Sequence, residues 1–181
     1  MDLLLVRASE SKEFFLFIVF HNTKTKTMTR DSIRLFVYGT LRRFQREIIK
    51  PDAFDIPESR KNAFFQSHTL LEKTLCLGMA KTRGILYDVG LYPAMVFGDR
   101  TIVGEVYDLE PEQLKTIDLL EGYEEKDPAR SHYIRIRVPV IFEDAKSDEA
   151  EVYLYNRTVR GLTLIDSGDY CQYLGSPNKM E

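Results

Sequence analysis

The chain has 181 residues, of which 44% are hydrophobic and 29% charged, the ordinary balance of a globular protein with one real core. The formal net charge is −3 and the 25 basic residues form no stripe, so we expect no nucleic-acid partner. The cysteines and histidines have no metal-binding or redox spacing, so we predict neither a metal nor a cofactor. Cys76 and Cys171 as free thiols are typical of a reducing compartment, and we expect a cytoplasmic protein.

The first 27 residues form an N-terminal extension with two apolar runs. The longer run, Phe14 to Phe20, is far shorter than the roughly 20 residues that a membrane helix needs. The segment also lacks the basic start and the small-residue cleavage site of a signal peptide. We therefore expect no membrane association. We place the native start at Met28 and a single domain at residues 28–181; the rival interpretation makes Phe14 to Phe20 an extra edge strand.

The hydrophobic pattern of the first half predicts a mixture of strand and helix. In chain order we predict a buried strand at Leu35–Tyr38, a proline-containing loop at Lys50–Arg60 and a helix at Asn62–Lys73. Two strands with a glycine-containing connection follow, Thr74–Met79 and Thr82–Asp88.

The second half continues the same pattern and contains the clearest helix. We predict an extended segment at Leu91–Phe97, a turn at Gly98–Arg100 and a strand at Thr101–Leu109. A helix at Pro111–Glu121 follows, and then two further strands, Tyr133–Phe142 and Glu151–Tyr155. Acidic residues 143–149 are expected to form a solvated hairpin loop. The chain after Asn156 is expected to cover the sheet as loop and short helix.

A short turn follows the first predicted strand: Tyr38, Gly39, Thr40 and Leu41. Glycine lets the backbone approach a ligand closely, and successive N–H groups in such a turn can form a small anion-binding nest. Taken alone, most turns of this kind only reverse the chain. Phosphate binding is a weaker interpretation here, because no lysine follows the turn as a P-loop requires.

The second candidate feature is the end of the predicted helix 111–121. Leu114, Ile117 and Leu120 share one face, and Glu121 falls at the end of that inward stripe. Gly122 suits the left-handed residue that ends many helices. Burial and the negative helix end both disfavour an ionised carboxylate, so they predict a raised pKa suited to a general base. The alternative is a frayed helix end with Glu121 in solvent.

Three motifs in this order give the sequence a recognisable resemblance. Leu35 to Arg43, Val103 to Leu109 and Leu119 to Tyr123 resemble the gamma-glutamylcyclotransferase-like superfamily, in particular its gamma-glutamylamine cyclotransferase-like branch. The similarity in order and spacing extends over about Arg34 to Arg157. It implies an α+β fold in which a small mixed sheet curls into a barrel-like core with a few flanking helices.

The resemblance also implies a reaction and a site. Glu121 corresponds to the family's catalytic glutamate, and Tyr38, Gly39, Thr40 and Leu41 correspond to its substrate-binding turn. The implied substrate is a small gamma-glutamyl amine or peptide whose own alpha-amino group attacks the side-chain carbonyl. Glu121 would act as general acid and base, and 5-oxoproline would be released without a metal.

Two departures from the family pattern affect the expected specificity. Phe44 stands where relatives often have a glycine soon after the turn, and the region from Pro51 to Gln66 lacks a Pro-Asn signature. The leaving group therefore stays open. Two alternative functions stay open as well: a catalytically silent small-molecule binding module and a protein-interaction module on the same fold.

Overall fold

A computed structural model describes residues 32–43, 68–90 and 92–174. The described strands are β1 (Ile33–Val37), β2 (Leu75–Asp88), β3 (Pro93–Leu109), β4 (Tyr133–Phe142), β5 (Ser147–Tyr155) and the short β6 (Thr163–Leu164). They follow the order β3-β1-β5-β4-β2-β6, and β2 also pairs with β3. This additional pairing closes the first five strands into a barrel. The predicted α+β class with a curled mixed sheet is therefore confirmed.

The first strand explains why the sheet is mixed and why two cores form. β1 pairs antiparallel with β3 but parallel with β5. Successive side chains of a strand point to opposite faces, so Phe36 and Leu35 join different clusters. Phe36 packs with Val106 and Val152 inside the barrel. Leu35 and Val37 pack on the other face, in the cluster that contains Leu114 and Ile117.

Strands β2 and β3 are longer than the sequence pattern indicates. The predicted break after Met79 is wrong, because Ala80 and Lys81 pair with both β3 and β4 and so continue the ladder. The predicted turn at residues 98–100 is also wrong. The ladder steps from the Gly84–Arg100 pair to the Ile85–Val96 pair, so residues 97–99 form a bulge within one strand.

The helices frame the barrel. Helix α1 runs over Pro111–Glu121, the predicted bounds, and α2 over Tyr170–Leu174. Residues 68–72 are helical too, in agreement with the described part of the predicted helix 62–73. Strand β4 has its predicted bounds, whereas β5 begins at Ser147 and shortens the acidic loop. The predictions for residues 1–27 and for the loop 50–60 lie outside the described residues.

Candidate active site

The turn after β1 is closed by its own backbone. Arg42 donates its N–H to the Gly39 carbonyl at 3.0 Å, whereas the N–H groups of Thr40 and Leu41 donate to no described residue. A side chain at position 39 would meet Pro93, since an added Cβ would lie 2.7 Å from Pro93 Cγ. Glycine is therefore needed for this close approach, and the N–H groups of Thr40 and Leu41 have no acceptor among the described residues.

A buried charged network anchors the same turn to β3. Glu105 Oε2 accepts the Arg43 N–H at 2.8 Å and the Tyr107 hydroxyl at 2.6 Å. The Arg42 guanidinium donates to Asp169 at 2.7 Å, and its Nε lies 3.8 Å from Glu105 Oε1. Arg42 is 4% exposed and Glu105 6%, so both charges depend on these partners. These contacts therefore hold the turn in one position relative to β3.

The end of α1 is shaped by the glycine that follows it. Gly122 has φ 63° and ψ 39°, the left-handed conformation predicted from the sequence. The Tyr123 N–H donates to the Asp118 carbonyl at 2.9 Å, which closes the last turn of the helix. The His132 N–H donates to the Gly122 carbonyl at 3.1 Å. The helix therefore remains intact through Glu121, and its end is tied to the chain entering β4.

Glu121 lies in the wall of a cavity, and its surroundings change its acidity. Burial, and then the like charge of Asp118 three residues earlier, raise the pKa of Glu121 from 4.5 to about 7. Asp118 Oδ1 itself accepts hydrogen bonds from Arg135 Nε at 2.9 Å and from the Tyr153 hydroxyl at 2.7 Å. A carboxyl group with such a pKa can both accept and donate a proton near neutral pH.

Three tyrosines surround the carboxyl group. Burial raises the pKa of the Tyr38, Tyr133 and Tyr153 hydroxyls, and the charge of Glu121 adds to this for each. All three therefore remain protonated at neutral pH and donate to fixed acceptors. Tyr38 donates to the Tyr153 carbonyl at 2.8 Å, and Tyr133 to the Pro93 carbonyl at 3.0 Å.

The cavity brings together all five residues predicted from the sequence. Its volume is about 250 Å³, and its wall includes Tyr38, Gly39, Thr40, Leu41 and Glu121. The rest of the lining comes from β1, the β2–β3 connection, the first residue of β3, α1 and the residue after it, the residue before β4 and the first residue of β4, and β5: Leu35, Phe36, Val37, Tyr92, Pro93, Ile117, Leu120, Gly122, His132, Tyr133 and Tyr153. Within residues 32–43, 68–90 and 92–174, no lysine or arginine lines this cavity.

Sequence reasoning missed several of these lining residues. Tyr92, His132, Tyr133 and Tyr153 are far apart in the chain, and only the barrel brings them together. The available signal was the tyrosine at the start of β4 and those near the end of β5, two strands expected to pair. Tyr155, close in sequence to Tyr153, packs beside Tyr133 and does not line the cavity.

The described residues contain neither a metal-binding cluster nor a membrane-spanning helix. In the part of the chain that the structure describes, no group of three or more histidine, cysteine, aspartate or glutamate side chains is arranged to hold a metal ion. None of the described helices is long and apolar enough to cross a membrane.

Comparison with known proteins agrees with the fold. The sequence profile described as "Gamma-glutamyl cyclotransferase, AIG2-like" matches residues 35–172, which include the end of β1, the turn and all of α1. The chain therefore belongs to the gamma-glutamylcyclotransferase family.

Individual relatives cover most of the described chain. A Vibrio cholerae protein provisionally named gamma-glutamylcyclotransferase is 32% identical over 140 residues, which are 76% of this chain and 95% of that protein. The Escherichia coli K12 family protein YtfP is 29% identical over 138 residues, 76% of this chain and 96% of YtfP.

Solved structures share the fold. The crystal structure of an AIG2-like protein from Mus musculus has a TM-score of 0.53 at 18% identity, with 81% of this chain and 92% of that chain covered. Bacillus subtilis YkqA has the same TM-score at 26% identity, and the similarity spans 78% of this chain and 40% of YkqA.

Proposed function

We propose that this protein is a cyclotransferase that releases 5-oxoproline from a small gamma-glutamyl amine or gamma-glutamyl peptide. The observation that carries the proposal is one cavity with two complementary walls. One wall has a carboxyl group whose pKa is raised to about 7, and the other is a turn with two N–H groups that no described residue uses. Family membership supplies the gamma-glutamyl class of substrate.

In the proposed reaction, Glu121 acts first as a base. Its carboxylate takes a proton from the substrate's alpha-ammonium group, and the freed amine attacks the side-chain amide carbonyl. A five-membered ring forms with a tetrahedral carbon that carries an oxyanion. Because nucleophile and carbonyl belong to one molecule, the enzyme mainly has to fold the substrate and move protons.

Glu121 then acts as an acid. It returns the proton to the leaving nitrogen as the carbon–nitrogen bond breaks. The same carboxylate then takes the second proton from the ring nitrogen and passes it to the departing amine. The alpha-nitrogen thus gives up two protons and the leaving nitrogen gains two. The products are 5-oxoproline and an ammonium or amino-acid product, and Glu121 returns to its starting state.

The turn is proposed to hold negative charge on the substrate. The N–H groups of Thr40 and Leu41 would bind the alpha-carboxylate or the developing oxyanion, a role suited to rigid backbone donors. The buried network of Glu105 and Arg42 supports this, since it fixes the turn before any substrate arrives. Preorganised donors avoid the cost of rearrangement during the reaction.

The test is a product assay. Purified protein is incubated with gamma-glutamyl amines, gamma-glutamyl dipeptides and glutathione, and 5-oxoproline is quantified by mass spectrometry. We expect release from at least one of these classes, and the ranking of the classes would define the leaving group. If none releases 5-oxoproline, the cyclotransferase proposal is wrong and the silent binding module becomes the better interpretation.

A further inference from the structure

Asp118 occupies a central place in the hydrogen bonds around Glu121. It precedes Glu121 by three residues in α1, so the two side chains are neighbours on the helix surface. Asp118 Oδ1 accepts from Arg135 Nε of β4 at 2.9 Å and from the Tyr153 hydroxyl of β5 at 2.7 Å. One carboxylate oxygen thus joins the helix to two strands of the barrel.

The contacts continue from Asp118 to the other wall of the cavity. Tyr153, which donates to Asp118, accepts the Tyr38 hydroxyl at its own carbonyl at 2.8 Å. Tyr38 is the first residue of the turn, so two hydrogen bonds connect Asp118 with the proposed substrate-binding wall. The helix end and the turn are therefore linked through Tyr153.

Arg135 is itself held firmly beside Asp118. Its Nη1 lies 3.6 Å from Glu151 Oε2, and its guanidinium carbon lies 5.1 Å from the centre of the Tyr123 ring. The side chain is 17% exposed, and that of Asp118 is 18%. Ion pairs shielded to this degree are screened by salt less than surface pairs are. The charge of Asp118 is thus kept in place, and partly offset, by Arg135.

We propose that Asp118 is a positioning residue for catalysis, which holds the last turn of α1, and with it Glu121, against β4 and β5 and places a negative charge beside the Glu121 carboxyl group. This rests on the proposed role of Glu121 as general acid and base. The role of Asp118 is distinct from that of Glu121, since its Oδ1 accepts hydrogen bonds from Arg135 and Tyr153 and Arg135 places a counter-charge beside it.

The charges facing Glu121 can be named from each neighbouring element. Asp118 comes from the same helix, Tyr38 from the turn, and Tyr153 from β5. The remaining ionisable groups of the described lining are Tyr92, His132 and Tyr133, from the β2–β3 connection and from β4 and the residue before it. Tyr38, Tyr133 and Tyr153 stay neutral at neutral pH, because burial and the charge of Glu121 raise their pKa values. Asp118 is the like charge that adds to burial in raising the Glu121 pKa.

This arrangement predicts shifts of opposite sign for the two partners. Removing the negative charge in Asp118→Asn should move the Glu121 pKa down by on the order of half a pH unit, with the value staying above 4.5 because burial remains. Removing the positive charge in Arg135→Met should move it up, since Asp118 then acts on Glu121 without its counter-charge. General damage to the fold would not produce opposite signs.

The experiment is a pH titration of the carbon-13 signal of the Glu121 carboxyl group, assigned by its loss in Glu121→Gln. Four proteins are compared: wild type, Asp118→Asn, Arg135→Met and the control Glu112→Gln. The control removes a negative charge from the exposed first turn of the same helix, where Glu112 pairs with Lys115 at 2.9 Å. Relative to the wild type, we expect the midpoint of the Glu121 titration to move to lower pH in Asp118→Asn and to higher pH in Arg135→Met. We expect no change in Glu112→Gln. The acidic limb of kcat/KM should move with it.

Unchanged Glu121 titrations in both Asp118→Asn and Arg135→Met, or shifts of equal sign, would overturn the proposal. If Asp118→Asn does not fold, Arg135→Met decides alone. The titration needs no turnover, so its outcome is separate from the assay for 5-oxoproline. A protein that releases no 5-oxoproline but shows the opposite shifts would disprove the proposed function and leave the electrostatic role of Asp118 standing.

Discussion

The two walls of the cavity are supported in different ways. The turn Tyr38–Leu41 is fixed by the hydrogen bond that closes its own backbone and by a buried network of charged side chains. In that network Glu105 accepts the Arg43 N–H and the Tyr107 hydroxyl. The end of α1 holds the Glu121 carboxyl group, which is partly protonated near neutral pH because its pKa is raised to about 7. Glu105 has hydrogen-bond donors and a nearby arginine, whereas no cationic side chain of the described residues pairs with Glu121, the proposed general acid and base.

This difference shows why buried carboxylates should be sorted by their partners. Glu105 and Glu121 are both acidic residues in an apolar setting. Glu105 accepts two hydrogen bonds and lies beside the positive charge of Arg42. Glu121 lies beside the negative charge of Asp118 instead, and burial together with this like charge raises its pKa. The comparison predicts that mutating each glutamate changes stability in opposite directions.

Breaking the turn's support should give the largest change in stability. Glu105→Ala leaves the Arg42 guanidinium without one of its two carboxylate neighbours and the Arg43 N–H without its acceptor. We expect the free energy of unfolding to fall by about 3–5 kcal/mol, as when one partner of a buried pair is removed. Urea unfolding measures this. Glu149→Ala, at a side chain that is 68% exposed, should change it by less than about 0.5 kcal/mol; comparable losses in both variants would refute the distinction.

Removing the other glutamate should stabilise the protein at high pH. The folded state binds the Glu121 proton more tightly than the unfolded chain does, because the pKa is about 7 in place of 4.5. The stability of the wild type therefore falls as pH rises from about 4.5 to 7, by at most about 3 kcal/mol. Glu121→Gln should abolish this fall and be the more stable protein at pH 8.

The measurement is the free energy of unfolding of wild type and Glu121→Gln at pH 5 and pH 8. Glu112→Gln on the exposed face of α1 is the matched control and should follow the wild type at both values. A Glu121→Gln variant that is less stable than the wild type at pH 8 would mean that the carboxylate has a stabilising partner.

The smallest expected effect concerns the residue that ends the helix. Gly122→Ala forces a side chain into the left-handed region at φ 63°, which should cost about 1–2 kcal/mol. Gly122→Asn should cost less, since asparagine tolerates that conformation better. The added Cβ itself finds ordinary room, 3.5 Å from His132 Cβ. Thermal unfolding of the two variants checks the order, and equal losses would point to crowding in place of backbone strain.

Local patterns predicted the parts of the fold that depend on nearby residues. Helix α1 was predictable because Pro111 marks its start, Gly122 its end, and Leu114 and Ile117 its buried face. The positions of Gly39 and Glu121 followed from motif resemblance. Strand ends were less predictable, because Gly98 in β3 reads as a turn although pairing with β2 carries the strand past it.

The missed features depend on tertiary contacts. Tyr133 and Tyr153 lie near strand ends in the sequence pattern, but only the closed barrel brings them to α1 and into the cavity wall. The proposed role of Asp118 depends on Arg135, which is 17 residues away in the chain and lies in β4. The geometry of the helix alone does not identify this partner.

The central claim is that Glu121 moves the proton in 5-oxoproline formation. The most direct test compares 5-oxoproline release by wild type, Glu121→Gln and Glu124→Gln with the best gamma-glutamyl substrate. Glu124 is an exposed acid just past the helix end and serves as the matched control. We predict a loss of about 10²–10⁴-fold for Glu121→Gln and a wild-type rate for Glu124→Gln. A folded Glu121→Gln protein with a wild-type rate would contradict the account.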